Sequence, residues 1–174
     1  LNARSLDVYS DCQADQVGLV IKELESSLRE DIQRHGTDAL DGVRTPTALV
    51  MLLTKDAAAM KLMSGSGARA TGDIKPEGFS IRKTSLGQRT VIWLTAADPA
   101  GLLYGGYEIA EQIRCYGMDG IQEDDKNPYM AMRGVKFNIP LDVRTPSYTH
   151  PCDAAQMNIE QMWDYDFWKE LIES

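Results

Sequence analysis

Apolar residues recur along this chain in several distinct rhythms, and each rhythm predicts a different element. From Gln13 to about Arg34, Val17, Val20, Ile21, Leu24, Leu28 and Ile32 fall at helical intervals while Lys22, Glu23, Glu25, Arg29 and Glu30 take the other side. That is an amphipathic helix, with Asp11 placed to cap it. Before it, Ser5–Tyr9 alternates Leu6 and Val8 with polar neighbours, a first strand or an extended arm. Gly36 to Pro46 has turn-forming residues and no period, which predicts a loop. Thr47–Thr54 is instead a continuous apolar run, Ala-Leu-Val-Met-Leu-Leu, which suits a strand buried on both faces. A short helix over Lys55–Met63, capped by Thr54 or Asp56, and a small polar loop at Ser64–Thr71 follow.

The pattern is fullest between Glu77 and Gly117. Glu77–Thr84 alternates Phe79 and Ile81 with Ser80 and Arg82, and Gly87 lies in a short connection to the apolar strand Thr90–Thr95, giving a hairpin. A helix over Pro99–Cys115 has both ends written in the sequence, with Asp98 at the N-cap, Pro99 in the first turn and Gly117 after the last. Leu102, Ile109 and Ile113, beside Gly106 and Ala110, form its buried stripe. Gly101, Gly105 and Gly106 each weaken a helix by about 1 kcal/mol relative to alanine, so close approach of this helix to a sheet is expected.

Strand, helix, strand, short helix, strand, strand, helix is an α+β order. It predicts a small mixed, largely antiparallel sheet with two long helices on one face, occupying residues 1–118. The acidic stretch 119–129 reads as a linker. From residue 130 the grammar restarts with a strand at Met130–Ile139, an irregular loop at Pro140–Asn158 and a helix at Tyr165–Ile172. Asp164 or a neighbour caps that helix, and Phe167, Trp168 and Leu171 are its apolar positions. One strand and one helix cannot bury a sheet edge on both sides, so 130–174 reads as the opening βα unit of a larger body.

Composition narrows the partners. With 174 residues there is room for one domain with a real core, or for a small domain plus part of another. Eighteen basic against twenty-six acidic side chains leave a net charge of −8, which argues against a nucleic-acid partner and for a neutral ligand or a soluble surface. No apolar run approaches the ~20 residues of a membrane helix, so no membrane partner is expected. Leu1 in place of Met suggests removal of something upstream, and a cleaved export signal would place the protein in a secreted or periplasmic setting. Cys12, Cys115 and Cys152, odd in number and without paired spacing, read as buried or incidental thiols rather than a disulfide framework or a zinc site.

Two phrases carry a family resemblance. Pro76-Glu77-Gly78-Phe79-Ser80-Ile81 leads the hairpin, and Asp98-Pro99-Ala100-Gly101-Leu102-Leu103-Tyr104-Gly105 opens the helix after it. Together they resemble the small α+β domain that precedes the catalytic barrel in exo-acting glycoside hydrolases, including the family 20 β-hexosaminidases and the α-glucuronidases. Arg133-Gly134 with Leu141-Asp142-Val143-Arg144 is similar to the first barrel strand of the hexosaminidases. The resemblance, over roughly residues 5–145, implies that 130–174 is the truncated first βα unit of a (β/α)8 barrel, which needs about 200–250 residues. It further implies that the catalytic carboxylates lie on later strands, so that this chain alone is inactive and partners the missing barrel and its glycan substrate.

By the same resemblance Arg133 donates to hydroxyls of a terminal sugar, the alternative being an arginine paired with an acid at a strand start. Asp142 and Arg144 line a sugar pocket or form an ion pair holding the loop. Trp163, with Tyr165 and Trp168, offers rings that stack on pyranose faces, although Trp168 also fits a core position. Asp164/Asp166 and Asp124/Asp125 fit helix capping and solvated charge. His35 suits a helix end. No cofactor or metal is expected: His150 and Cys152 lack further ligands, and the helix glycines lack the Lys-Ser/Thr of a phosphate loop. A stand-alone carbohydrate-binding or protein-interaction module is the competing reading.

Overall fold

Five consecutive buried residues, Ala48–Leu52, fix the centre of the fold, because a strand that hides both faces needs a layer on each side. The computed structural model describes residues 5–42, 45–134 and 164–173. Its chain divides into two compact units, Leu1–Ala131 and Met132–Ser174. In the first, strands β1 (Leu6–Tyr9), β2 (Arg34–His35), β3 (Thr47–Leu53), β4 (Phe79–Leu86), β5 (Arg89–Ala96) and β6 (Asp124–Lys126) form one sheet in the order β2-β1-β3-β5-β4-β6. Helices α1 (Asp15–Leu28) and α3 (Pro99–Tyr116) cover one face with Val17, Val20, Leu24, Leu102, Ile109 and Ile113. On the other, α2 (Ala57–Gly65) and a 3₁₀ turn at Thr37–Gly42 pack Ala59, Met63 and Leu40 against Ala48, Val50, Leu52 and Trp93.

The α+β class and the shared face of the two long helices match the pattern in the sequence. The strand directions differ from the expectation. β1 runs parallel to β2 and to β3, and β3 parallel to β5, whereas β4 is antiparallel to β5 and to β6, so parallel pairing prevails over the expected antiparallel character. The physical reason lies in the connections: α1 is a crossover between parallel neighbours, and the α2–β4 excursion lets the hairpin return β5 beside β3. Gly87 adopts φ +65° at the first position of the two-residue hairpin loop, where a turn matching strand twist needs it.

Helix α1 stops at Leu28 rather than near Arg34. Arg29 takes a left-handed φ of 56° and its N–H returns to the Glu25 carbonyl. The following residues are drawn into β2, where the Gln33 and His35 carbonyls accept from the N–H groups of Val8 and Ser10 at 2.9 Å. Ile32 is buried all the same, 8% exposed, in the core it was expected to face. Asp11 does not cap α1; its carboxylate accepts from the backbone and hydroxyl of Thr37. His35 stands in β2, its ring stacked on Tyr9 at 5.1 Å, rather than at a helix end.

Residues 119–129 do more than link. Within them β6 pairs with β4 and closes one side of the sheet. Met130–Gly134, where a strand was expected, is irregular, and the rest of that strand and the 140–158 loop fall outside the described residues. In the second unit, helix α4 (Tyr165–Glu173) forms as expected, with Asp164 accepting from the Asp166 N–H at 2.9 Å.

Close approach explains the glycines of α3. A Cβ on Gly101 would sit 2.3 Å from the Gly78 carbonyl oxygen, and one on Gly105 2.3 Å from Leu94. Gly18 in α1, by contrast, has nothing within 4 Å. Urea unfolding should therefore separate two identical substitutions: Gly101→Ala costs about 1–3 kcal/mol through overpacking, while Gly18→Ala gains about 0.5–1 kcal/mol of helix propensity.

Candidate functional site

The two phrases that resemble glycosidase domains meet at one corner, where β4 begins and α3 begins. Asp98 joins them. Its Oδ1 accepts from the Gly101 N–H at 2.8 Å as a helix cap, and its Oδ2 accepts from the Glu77 N–H at 2.9 Å. Glu77 holds a left-handed φ of 62°, a strained backbone state for a non-glycine residue, which this second bond secures. A Cβ on Gly78 would meet Asn127 Oδ1 at 2.2 Å, so only glycine fits between the hairpin and the segment after β6.

Asn127 ties the segment after β6 into this corner. Its Oδ1 accepts from the Lys75 N–H and its Nδ2 donates to the Asp73 carbonyl, both at 2.8 Å. Deeper in, Arg82 is 1% exposed and donates to both oxygens of Asp125, at 2.7 and 2.6 Å, and to the carbonyls of Ala70 and Asp124 at 3.2 Å. Burial pushes the Asp125 carboxyl up, but hydrogen bonds from Arg82 and the guanidinium charge outweigh it and leave the group below the ordinary range. From α3, Glu108 receives Lys126 at 2.7 Å. That contact lowers the Glu108 carboxyl and raises the Lys126 ammonium.

Beside the corner lies a cleft of about 270 Å³ lined by Lys75, Pro76, Glu77, Pro128, Tyr129 and Ala131. Tyr129 is fully exposed, at 100%. A second crevice opens beyond the carboxyl ends of β1 and β3, rimmed by Asp11, Asp38, Asp41 and Asp56. Asp56 there is engaged as the cap of α2, accepting from the Ala58 and Ala59 N–H groups at 3.1 Å. Among the described residues no group of three or more His, Cys, Asp or Glu side chains is arranged to hold a metal ion. The corner is thus built to position backbone: both Asp98 oxygens are taken by N–H donors.

The model of the glycosyl hydrolase family 67 N-terminus matches residues 4–109. The chain belongs to this family. The match runs from the first strand of the family 67 domain into α3 and includes both glycosidase-like phrases. It gives no support to membership of the family 20 β-hexosaminidases. A solved structure, titled a GH138 enzyme targeting pectin rhamnogalacturonan II, is similar over 74% of this chain with 16% sequence identity and a TM-score of 0.49. The chain spans 16% of that enzyme's length. No curated protein matches the sequence.

Of the residues singled out from the sequence, Arg133 stands in exposed, irregular backbone at the start of the second unit. Asp142, Arg144 and Trp163 lie outside the described residues, as do His150 and Cys152. Tyr165 is 77% exposed on α4, and the rings of Phe167 and Trp168 meet edge to face at 5.3 Å. Sequence reasoning missed Asn127, Tyr129 and the Arg82–Asp125 pair, and treated Asp124/Asp125 as solvated charge. One signal was available: an arginine inside an alternating strand needs an acid, and the next acidic cluster supplies it.

Three outcomes follow for the family 67 domain. Asp98→Ala should lower unfolding free energy by about 1–2 kcal/mol, because it removes a helix cap and the hold on Glu77 together. Asp125→Ala should cost about 3–5 kcal/mol by leaving a buried guanidinium without its acid. A carboxyl held below its ordinary value adds stability above that value and loses it as pH falls through the lowered one. Between about pH 5 and pH 2, Asp125→Asn should therefore lose less stability on acidification than the parent chain, followed by circular dichroism.

Proposed function

We propose that this chain carries the non-catalytic N-terminal accessory domain of an exo-acting glycoside hydrolase, which supports a catalytic barrel and lines part of its sugar pocket. The observation that carries the reading is the convergence of Pro76–Ile81 and Asp98–Gly105 at one hydrogen-bonded corner inside a family 67 N-terminal domain. Of the two likenesses in those phrases, the α-glucuronidase type is retained and the hexosaminidase type set aside.

The chemistry of the corner favours a supporting role. A carboxylate that accepts two backbone N–H groups is spent on geometry and has no proton to give. Catalysis in an exo-glycosidase instead calls for a pair of carboxyl groups flanking the scissile bond, one protonated and one ionised. Asp98, Asp125 and Glu108 are each engaged in holding elements of the domain together. The hydrolytic carboxylates of the parent enzyme are accordingly assigned to its barrel, and the glycan and that barrel are the partners of this domain.

Assays against a panel of aryl glycosides test this. The 174-residue chain alone should release no aryl alcohol, the full-length enzyme should hydrolyse one member of the panel, and removal of residues 1–131 from it should lower both activity and melting temperature. Hydrolysis by the chain alone would overturn the assignment, as would full activity and unchanged melting after the removal.

A further inference from the structure

We propose that the cleft between Pro76 and Tyr129 is a carbohydrate subsite that takes one neutral pyranose ring face-on against Tyr129. The proposal rests on the accessory-domain reading above and names the residues that meet the sugar. The Tyr129 ring is wholly open to water, although an aromatic side chain of this kind covers about 150–250 Å² when something packs on it. A lone exposed ring is ordinary, but this one borders a cleft whose lining also includes Pro76 and Pro128. Pyranose rings carry C–H groups on their faces and hydroxyls around their rims. They match a site with an apolar floor and polar edges.

The edges are present. Lys75 and Glu77 bring opposite charges into the same lining, and the balance suits hydroxyl groups better than a phosphate or a cation. At about 270 Å³ the cleft falls just below the ~300–1,000 Å³ typical of sites for drug-sized ligands, a size for a single ring rather than an oligosaccharide.

The walls are also held in advance. Asn127, two residues before Tyr129, pins the Lys75 and Asp73 backbone, Pro128 fixes its own φ, and Asp98 holds Glu77 in its left-handed conformation. Little ordering is left to be done when a ligand arrives, which is the usual source of affinity in a small site. The crevice beyond β1 and β3 is a weaker candidate, since no aromatic ring stands among its lining residues and four aspartates rim it.

Titration of the ¹⁵N-labelled 174-residue chain with methyl glucopyranoside, methyl xylopyranoside, xylobiose and cellobiose, followed by amide chemical shifts, tests the proposal. Saturable shifts confined to Lys75, Glu77, Tyr129 and Ala131 are expected with at least one of these sugars. Tyr129→Phe should keep the binding and Tyr129→Ala should weaken it about tenfold or more, corresponding to ~1.4 kcal/mol. Both variants should melt with the parent chain, because the ring is exposed. The absence of saturable shifts, wild-type affinity in Tyr129→Ala, or a large drop in its melting temperature would each overturn the subsite. If sugar binding fails while removal of residues 1–131 still impairs the full-length enzyme, the subsite alone is wrong and the supporting role stands.

Discussion

The separation between α3 and the sheet is the constraint on which this structure depends. At Gly101 and Gly105 the helix lies so near β4 and β5 that a single methyl group would collide with the Gly78 carbonyl or with Leu94 and Phe79. Each glycine weakens the helix by about 1 kcal/mol. Full burial of Leu102, Ile109 and, nearly, Ile113 offsets that, at about 1.5–3 kcal/mol for each large side chain. Gly106 extends the same logic sideways, since a Cβ there would strike Val20 of α1. The helix start is thereby brought against the turn that opens β4, and Asp98 reaches both.

Charge is used here as a set of struts between segments distant in sequence. Arg82 clamps Asp125, Lys126 meets Glu108, and Arg114 of α3 meets Glu23 of α1. The first is the costly one, because a guanidinium at 1% exposure has given up its water. Its planar fork reaches two carboxylate oxygens and three backbone carbonyls at once, which a lysine could not do. The acidic surplus of the chain is thus partly internal: several of its carboxylates are structural acceptors.

Much of the domain was legible because its signals are local. The cap, the first-turn proline and the closing glycine of α3 are neighbours in sequence, and the alternation of Phe79 and Ile81 states which side of β4 faces the helices. Strand direction was not legible. Whether β3 and β5 run parallel depends on the path of the chain between them, and no residue in either strand records it. The early end of α1 was hidden for a similar reason: helical spacing continues through Ile32, but Val8 and Ser10 need backbone partners and take Gln33 and His35. At the corner, Asn127 escaped notice because its two bonds reach back more than fifty residues, to Lys75 and Asp73. Tyr129 is set apart by its cleft, which no spacing rule describes.

The outer strands of the sheet are its shortest. β2 has two residues and β6 three, and β6 reads Asp-Asp-Lys. Between them the long apolar strands β3 and β5 are flanked on both sides, β3 by β1 along Thr47–Val50 and by β5 along Thr47–Leu53. At β2 and β6 a stranger chain finds a brief, charged margin on which to extend the ladder, while Arg82–Leu86 of β4 runs on past β6. The two end strands therefore offer copies of the domain little template for edge-to-edge growth.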